Sequence, residues 1–194
     1  MRLSALIAAF ALSILPLACD RASKGPAESA EAPMMDTPVP DAEPGRVYRA
    51  VSDSARSVTG RLTMTLTTRM PDPASDRRQP VDYMSLRAET GLAAEGVLSG
   101  SVSPGTSLSG QTIRALMDLD VRASGLSLYE VESQNVPRGG RGFCEQGEAS
   151  HFVVWESFGP GEQQLRILAV QGGAPGAAGA GACAVYAYSR EQGG

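Results

Sequence analysis

The residues that could carry chemistry in this 194-residue chain are few, and His151 is its only histidine. A metal site built from several histidines is therefore excluded, and carboxylates or cysteines would have to supply the remaining ligands. Glu145, Glu148 and Glu156 lie nearby in the sequence, but their spacing matches no metal-binding motif. We therefore expect His151 to occupy the edge of a strand, and we predict no metal and no cofactor.

Ser150 precedes His151 and offers an alternative interpretation, because a serine paired with a histidine is half of a nucleophilic pair. The sequence has no Gly-x-Ser-x-Gly elbow, and the segment 105–110 places its serines at the wrong spacing. Lys24 is the only lysine, which excludes a phosphate loop, a Schiff base and a Ser-x-x-Lys acyl enzyme. These residues favour a protein that is not an enzyme, with a weak hydrolase that uses His151 as an alternative.

Charge and glycine patterns argue against nucleic-acid and nucleotide binding. The chain has 17 basic and 21 acidic residues and a net charge of −4, so it offers no one-signed basic face to nucleic acid. The glycine-rich run 172–182 lacks the Gly-x-Gly-x-x-Gly order of a dinucleotide fingerprint, and a predicted strand follows it instead of a helix. We expect this run to be a flexible hairpin loop.

The N-terminus has the pattern of an export signal. One positive residue precedes an apolar run of about 13 residues, which reaches ~20 Å as a helix and is shorter than the ~30 Å hydrocarbon core of a membrane. Pro16, Leu17 and Ala18 lead directly to Cys19. This junction resembles the lipobox of bacterial lipoproteins, although Pro16 stands where that motif usually has leucine. The resemblance implies that residues 1–18 are a signal peptide and that Cys19 carries the lipid.

The other two cysteines and the linker that follows Cys19 can be interpreted on the same basis. If Cys19 is acylated, Cys144 and Cys183 remain as a pair in an oxidising compartment, and we predict a structural disulfide, with two free buried thiols as the alternative. Residues 19–45 would hold the anchor cysteine and a proline-rich linker without apolar periodicity, which we expect to be disordered. The lipid would anchor the chain in the bacterial cell envelope, at the inner or the outer membrane, with its domain facing the periplasm.

The remaining residues, 46–194, are predicted to form a single β-rich domain. Leu62, Met64 and Leu66 alternate with polar residues, which is the pattern of a half-buried strand. Shorter apolar runs indicate further strands at 81–88, 92–102, 125–132, 152–156, 165–170 and 183–188. About seven short strands predict a mainly β fold, either an antiparallel sandwich or a small barrel, with one or two short helices.

Two segments have weaker, helix-like spacing. Apolar residues between Val47 and Val58 recur at helical intervals, although the pattern is weak. The segment 110–122 is ambiguous, because its apolar residues fit both a helix and a strand. We favour a short helix near 110–118 that runs into a strand after residue 120.

The pattern from Cys144 to Tyr188, in which two cysteines bracket paired strands, resembles small uncharacterised envelope lipoproteins. We therefore expect a non-enzymatic, lipid-anchored envelope protein whose β-domain has a binding or structural role. Its expected partners are the membrane, through the lipid, and a periplasmic protein, but no nucleic acid. The domain also resembles the lysozyme-inhibitor lipoproteins, which are small disulfide-bonded β-domains, and this implies an alternative role as an inhibitor of a host or self enzyme.

Overall fold

The computed structural model describes residues 44–74, 76–157 and 163–191, and this part of the chain contains ten strands and two short helices. In chain order these elements are β1 (Arg46–Ala50), α1 (Asp53–Val58), β2 (Leu62–Arg69), β3 (Val81–Ala88), β4 (Ala93–Val102), β5 (Ser107–Leu108), β6 (Gln111–Thr112), α2 (Ile113–Leu116), β7 (Leu126–Asn135), β8 (His151–Glu156), β9 (Gln164–Gln171) and β10 (Gly181–Arg190). Neither of the two described helices has the length and apolar character needed to cross a membrane. The predicted signal peptide, the lipidation site Cys19 and the linker that follows it lie outside the described residues.

Eight of the strands form a closed antiparallel barrel. Their order around the barrel is β1–β10–β9–β8–β7–β4–β3–β2, and every neighbouring pair is antiparallel. The prediction of a mainly β, antiparallel fold is therefore confirmed, and the fold is the barrel, not the sandwich. Closure gives each of these strands a hydrogen-bonded neighbour on both sides, so the sheet has no free edge.

Strand β1 was not predicted from the sequence. Its segment has weak helical spacing, but in the structure Tyr48 is fully buried in the barrel and α1 begins only at Asp53. Ser52 caps α1 by accepting a hydrogen bond from the N–H of Ala55. The helical expectation for this segment is thus correct in its second half and wrong in its first.

The ambiguous segment before β7 forms a short hairpin and one turn of helix. Strands β5 and β6 pair through Ser109 and Gly110, whose φ angles of 52° and 78° suit a two-residue hairpin turn. Helix α2 lies within the predicted range 110–118. The strand predicted directly after 120 is wrong, because residues 119–125 form turns and irregular structure and β7 begins at Leu126.

This hairpin and α2 cover one outer face of the barrel. Their apolar side chains and those of the strands beneath them form a second core outside the lumen, composed of Leu108, Ile113, Met117, Leu119, Leu126, Val153, Leu168 and Val170. The hydroxyl of Ser109 also accepts a hydrogen bond from the backbone N–H of Ala182 at 2.9 Å. This contact joins the hairpin to the beginning of β10, directly after the loop that connects β9 and β10.

Large apolar side chains fill most of the barrel interior, as expected for eight strands, whose lumen is little wider than the side chains that point into it. Helix α1 lies across one end, which we call the closed end, and buries Ala55 and Val58 against this core. Thr59, directly after α1, shares a hydrogen bond of 2.8 Å with the hydroxyl of Tyr188. The buried hydroxyl of Tyr188 is thereby satisfied by a neutral partner.

The segment 137–149 contributes to the closed end as well. The ring of Phe143 packs edge-to-face against the rings of Phe152 and Tyr186, with centroids 5.0 Å and 5.9 Å apart. The hydroxyl of Tyr186 donates a hydrogen bond of 2.6 Å to the carbonyl oxygen of Phe143. An apolar cluster in which the Tyr186 hydroxyl has a backbone partner therefore fills this end of the lumen.

Candidate functional site

The opposite end of the lumen, which we call the open end, contains a cavity of about 250 Å³. Strand β2 supplies one wall, while β7, β8 and the residues just before β7 supply the facing wall. The lining residues are Met64, Leu66, Ser124, Gly125, Ser127, Tyr129, Val154, Trp155 and Glu156. Alternation along the strands places Met64 and Leu66, Ser127 and Tyr129, and Val154 and Glu156 on the inner face.

A charged cluster is buried beside this cavity. Nη1 of Arg46 donates to Oε2 of Glu156 at 2.5 Å, and the hydroxyl of Tyr48 donates to Oε1 of the same carboxylate. The side chains of Arg46 and Glu156 are only 16% and 7% exposed. Arg46 and Tyr48 are two residues apart on β1, so both point to the same face of the strand. Barrel closure brings them to Glu156 at the end of β8.

Burial keeps two phenols at the open end in their neutral form. Desolvation raises the pKa of Tyr48 well above its ordinary value of 10.0, and the hydrogen bond and charge of Glu156 raise it further. Burial likewise raises the pKa of Tyr129, and the charge of Asp82 adds to this effect, whereas a hydrogen bond with Ser127 opposes it. Both hydroxyls therefore stay protonated well into the alkaline range.

His151 is the first residue of β8 and lies at the end of that strand. Its Nδ1 is 3.2 Å from Oγ of Ser150. That oxygen also accepts a hydrogen bond from the N–H of Gly173 at 3.1 Å and lies 3.1 Å from the carbonyl oxygen of Val170. Ser150 thus connects the beginning of β8 to β9 and to the loop that follows, and its hydroxyl is engaged by backbone groups.

The glutamates that lie near His151 in the sequence do not converge on it. Glu156 is at the other end of β8, roughly 16 Å away at ~3.3 Å per residue. Glu148 is exposed, and Glu145 forms a long, exposed ion pair with Arg141 at 3.8 Å. Within the described residues, no group of three or more histidine, cysteine, aspartate or glutamate side chains could hold a metal ion.

Cys144 and Cys183, the two cysteines predicted to pair, lie at disulfide distance, with Cα atoms 5.3 Å apart. Cys144 follows Phe143 in the segment that fills the closed end. Cys183 lies on β10 at a register shift between Ala182 and Ala184. The pair therefore connects the closing segment to the barrel wall.

Sequence reasoning did not identify Arg46 or Tyr48 as site residues, and it considered Glu156 only as a neighbour of His151. One signal was available: Phe152, Val154 and Glu156 share one face of β8, so a carboxylate follows two core residues at an inward position. A charge at such a position indicates either a strand end or a buried partner. The partner itself could not be found, because it lies 110 residues away.

Comparison with known protein families, curated proteins and solved structures finds no match to this chain. The site is therefore interpreted from its own geometry. It combines apolar and serine side chains, two neutral phenols and a carboxylate that is paired with a guanidinium. This arrangement can bind a small molecule by packing and hydrogen bonding.

Proposed function

We propose that the chain is a lipid-anchored protein of the bacterial cell envelope whose barrel is a non-enzymatic binding domain, with the open-end cavity as its ligand site. The observation that carries the proposal is the largely buried ion pair of Arg46 and Glu156 beside a cavity that apolar and polar side chains line together. Small-molecule sites typically combine apolar walls with a few placed polar groups, and the mouths of β-barrels are among their preferred positions.

The two ends of the barrel satisfy their buried tyrosines differently, and this contrast supports a binding role. At the closed end, Tyr186 and Tyr188 use a backbone carbonyl and a hydroxyl. At the open end, Tyr48 uses the carboxylate of Glu156, whose charge is compensated by Arg46. A buried ion pair gains little or no stability over well-packed apolar side chains of similar volume. Ligand recognition therefore accounts for the charged cluster better than fold stability does.

A cavity-filling variant tests the binding site. Leu66 lines the cavity, so Leu66→Trp should occlude it, whereas Val121→Trp adds the same side chain at a position that is 82% exposed. We would incubate each protein with a small-molecule extract of envelope fractions and measure bound mass by native mass spectrometry. A bound species of discrete mass should appear with the wild type and with Val121→Trp but not with Leu66→Trp. Equal binding by all three proteins, or binding by none, would contradict the proposal.

Lipid attachment at Cys19 is the other half of the proposal. It is supported by the resemblance of the leader to a lipobox, and by the proximity of Cys144 and Cys183, which leaves Cys19 as the odd cysteine of the chain. Cys19→Ser should abolish both palmitate labelling and membrane association. Ser23→Ala, a control variant in the linker that follows Cys19, should preserve both. Labelling and membrane association that survive in Cys19→Ser would show that the anchor is assigned wrongly.

The contact between Ser150 and His151 favours a weak hydrolase as a second candidate. If this pair is catalytic, His151→Ala should abolish hydrolysis of p-nitrophenyl acetate by the purified protein. Activity that is unchanged by His151→Ala, or absent in the wild type, would exclude this candidate. The enzyme-inhibitor alternative stays a prediction, and the absence of binding to c-type lysozyme at micromolar concentration would exclude that version of it.

A further inference from the structure

The charges that act on the two buried phenols of the open end are balanced. The charged groups that act on the hydroxyls of Tyr48 and Tyr129 are Arg46, Arg190, Glu156 and Asp82, two of each sign. Arg46 is paired with Glu156, Asp82 accepts a hydrogen bond from Thr68 at 2.5 Å, and Arg190 donates to Gln163. The charges that act on these two hydroxyls therefore cancel in number, and each belongs to a group that already has a polar partner.

The cavity wall offers acceptor capacity to a ligand. In the Glu156 carboxylate, Oε2 accepts a hydrogen bond from Arg46, and Oε1 accepts one from the hydroxyl of Tyr48. A carboxylate oxygen can accept two hydrogen bonds, so further acceptor sites remain on the residue that lines the cavity. The rest of the lining includes the apolar side chains of Met64, Leu66 and Val154, together with the hydroxyl-bearing side chains of Ser127 and Tyr129. A suitable ligand must therefore bring a donor and an apolar body.

Charged ligands fit this arrangement poorly. A cation would have to share Glu156 with Arg46 and would lie close to its guanidinium, and an anion would face the carboxylate that lines the cavity. Like charges within a few ångströms repel more strongly in partly buried surroundings than they do in bulk water. Size is limited as well, since about 250 Å³ is below the ~300–1,000 Å³ typical of sites for drug-sized ligands.

We propose that the open-end cavity binds small uncharged molecules in which a hydroxyl or amide N–H is attached to an apolar body. The donor hydrogen-bonds to Glu156, and the apolar body contacts Met64, Leu66 and Val154. This inference rests on the proposed binding function and names the chemical class of the ligand. In this proposal, the selectivity of the cavity comes from hydrogen bonding and packing, and not from ion pairing.

Four probes of nearly equal size test the inference: p-cresol, which is neutral with a donor; 4-methylanisole, which lacks the donor; 4-methylbenzylamine, which is a cation; and 4-methylbenzoate, which is an anion. Each is titrated at pH 7 into the protein as the cell produces it, purified in a mild detergent, and followed by the NMR shifts of the Ser127 and Tyr129 amides. The same titrations of the Leu66→Trp variant correct for partition of the probes into the detergent. We expect p-cresol to bind about tenfold more tightly than 4-methylanisole, because the binding free energy of one hydrogen bond to a charged acceptor corresponds to a factor of this size. We also expect p-cresol to bind more tightly than either charged probe.

The outcomes separate the inference from the function on which it rests. Equal affinity for p-cresol and 4-methylanisole, or tighter binding of a charged probe, overturns the proposed ligand class but leaves a binding cavity. If no probe causes shifts that Leu66→Trp abolishes, the ligand class is wrong, and the extract experiment then decides whether the cavity binds anything else. In Glu156→Gln, the preference for p-cresol over 4-methylanisole should shrink. The wild-type series decides the question even if that variant folds poorly.

Discussion

Replacement of the charged cluster by apolar side chains should separate its role in binding from its role in folding. Glu156→Leu alone removes the carboxylate that accepts from the guanidinium of Arg46, a side chain that is only 16% exposed. It also removes the acceptor of the buried Tyr48 hydroxyl. Breaking a buried pair in this way costs about 3–5 kcal/mol of unfolding free energy. We therefore expect Glu156→Leu to be strongly destabilised.

The triple variant Arg46→Met, Tyr48→Phe, Glu156→Leu removes all three polar groups together. No buried charge or hydroxyl is then left unsatisfied, and apolar replacement of a buried pair is often neutral or stabilising by about 1–4 kcal/mol. We expect the triple variant to be at least as stable as the wild type and to lose the preference for p-cresol. Urea unfolding, followed by circular dichroism and by the fluorescence of Trp155, measures the stabilities. A triple variant as unstable as Glu156→Leu would refute this reasoning and assign the cluster a structural role.

Three further predictions concern the frame around the site. Cys144→Ala with Cys183→Ala should lose about 4 kcal/mol of unfolding free energy, because the pair closes a loop across a separation of 39 residues, and dithiothreitol should lower the urea midpoint of the wild type but not of the double variant. Burial, with a smaller effect of the Glu145 charge, raises the pKa of Tyr186 to about 12, so the stability from this residue is fully present below pH 10 and is lost as the pH rises through 12. A pH series of urea midpoints, with tyrosinate absorbance at 295 nm, checks the direction; a midpoint that rises above pH 10 would contradict it. Ser109→Ala should cost about 1 kcal/mol and accelerate hydrogen exchange at the Ala182 amide, and unchanged exchange there would show that the contact contributes nothing.

The strands could be predicted where one face is buried and the other is polar. Leu62 and Met64 alternate with threonines on β2, and the predicted range 81–88 coincides with β3. Strand β1 failed this criterion because it has five residues, of which Tyr48 alone is fully buried. Its neighbour on the inner face is Arg46, a charged residue at a position where the alternating pattern requires an apolar one.

The candidate site was not predictable because it depends on closure of the barrel. Tyr48 and Glu156 are 108 residues apart and meet because β1 begins, and β8 ends, at the same opening of the barrel. No local pattern encodes that meeting, and the order of eight strands around a barrel is a property of the whole sheet. The cysteine pair could be predicted without knowledge of the barrel. Cys144 and Cys183 are the two cysteines that remain if Cys19 is assigned to the lipid.

NMR distance contacts between p-cresol and the protein test directly whether the open-end cavity binds a ligand. Met64 and Leu66 supply methyl groups on one wall of the cavity, and Val154 supplies them on the other. We expect nuclear Overhauser contacts from the p-cresol ring and methyl group to these side chains, and we expect Leu66→Trp to abolish them. Contacts confined to residues on the outer surface of the barrel, or no saturable contacts at all, would contradict it.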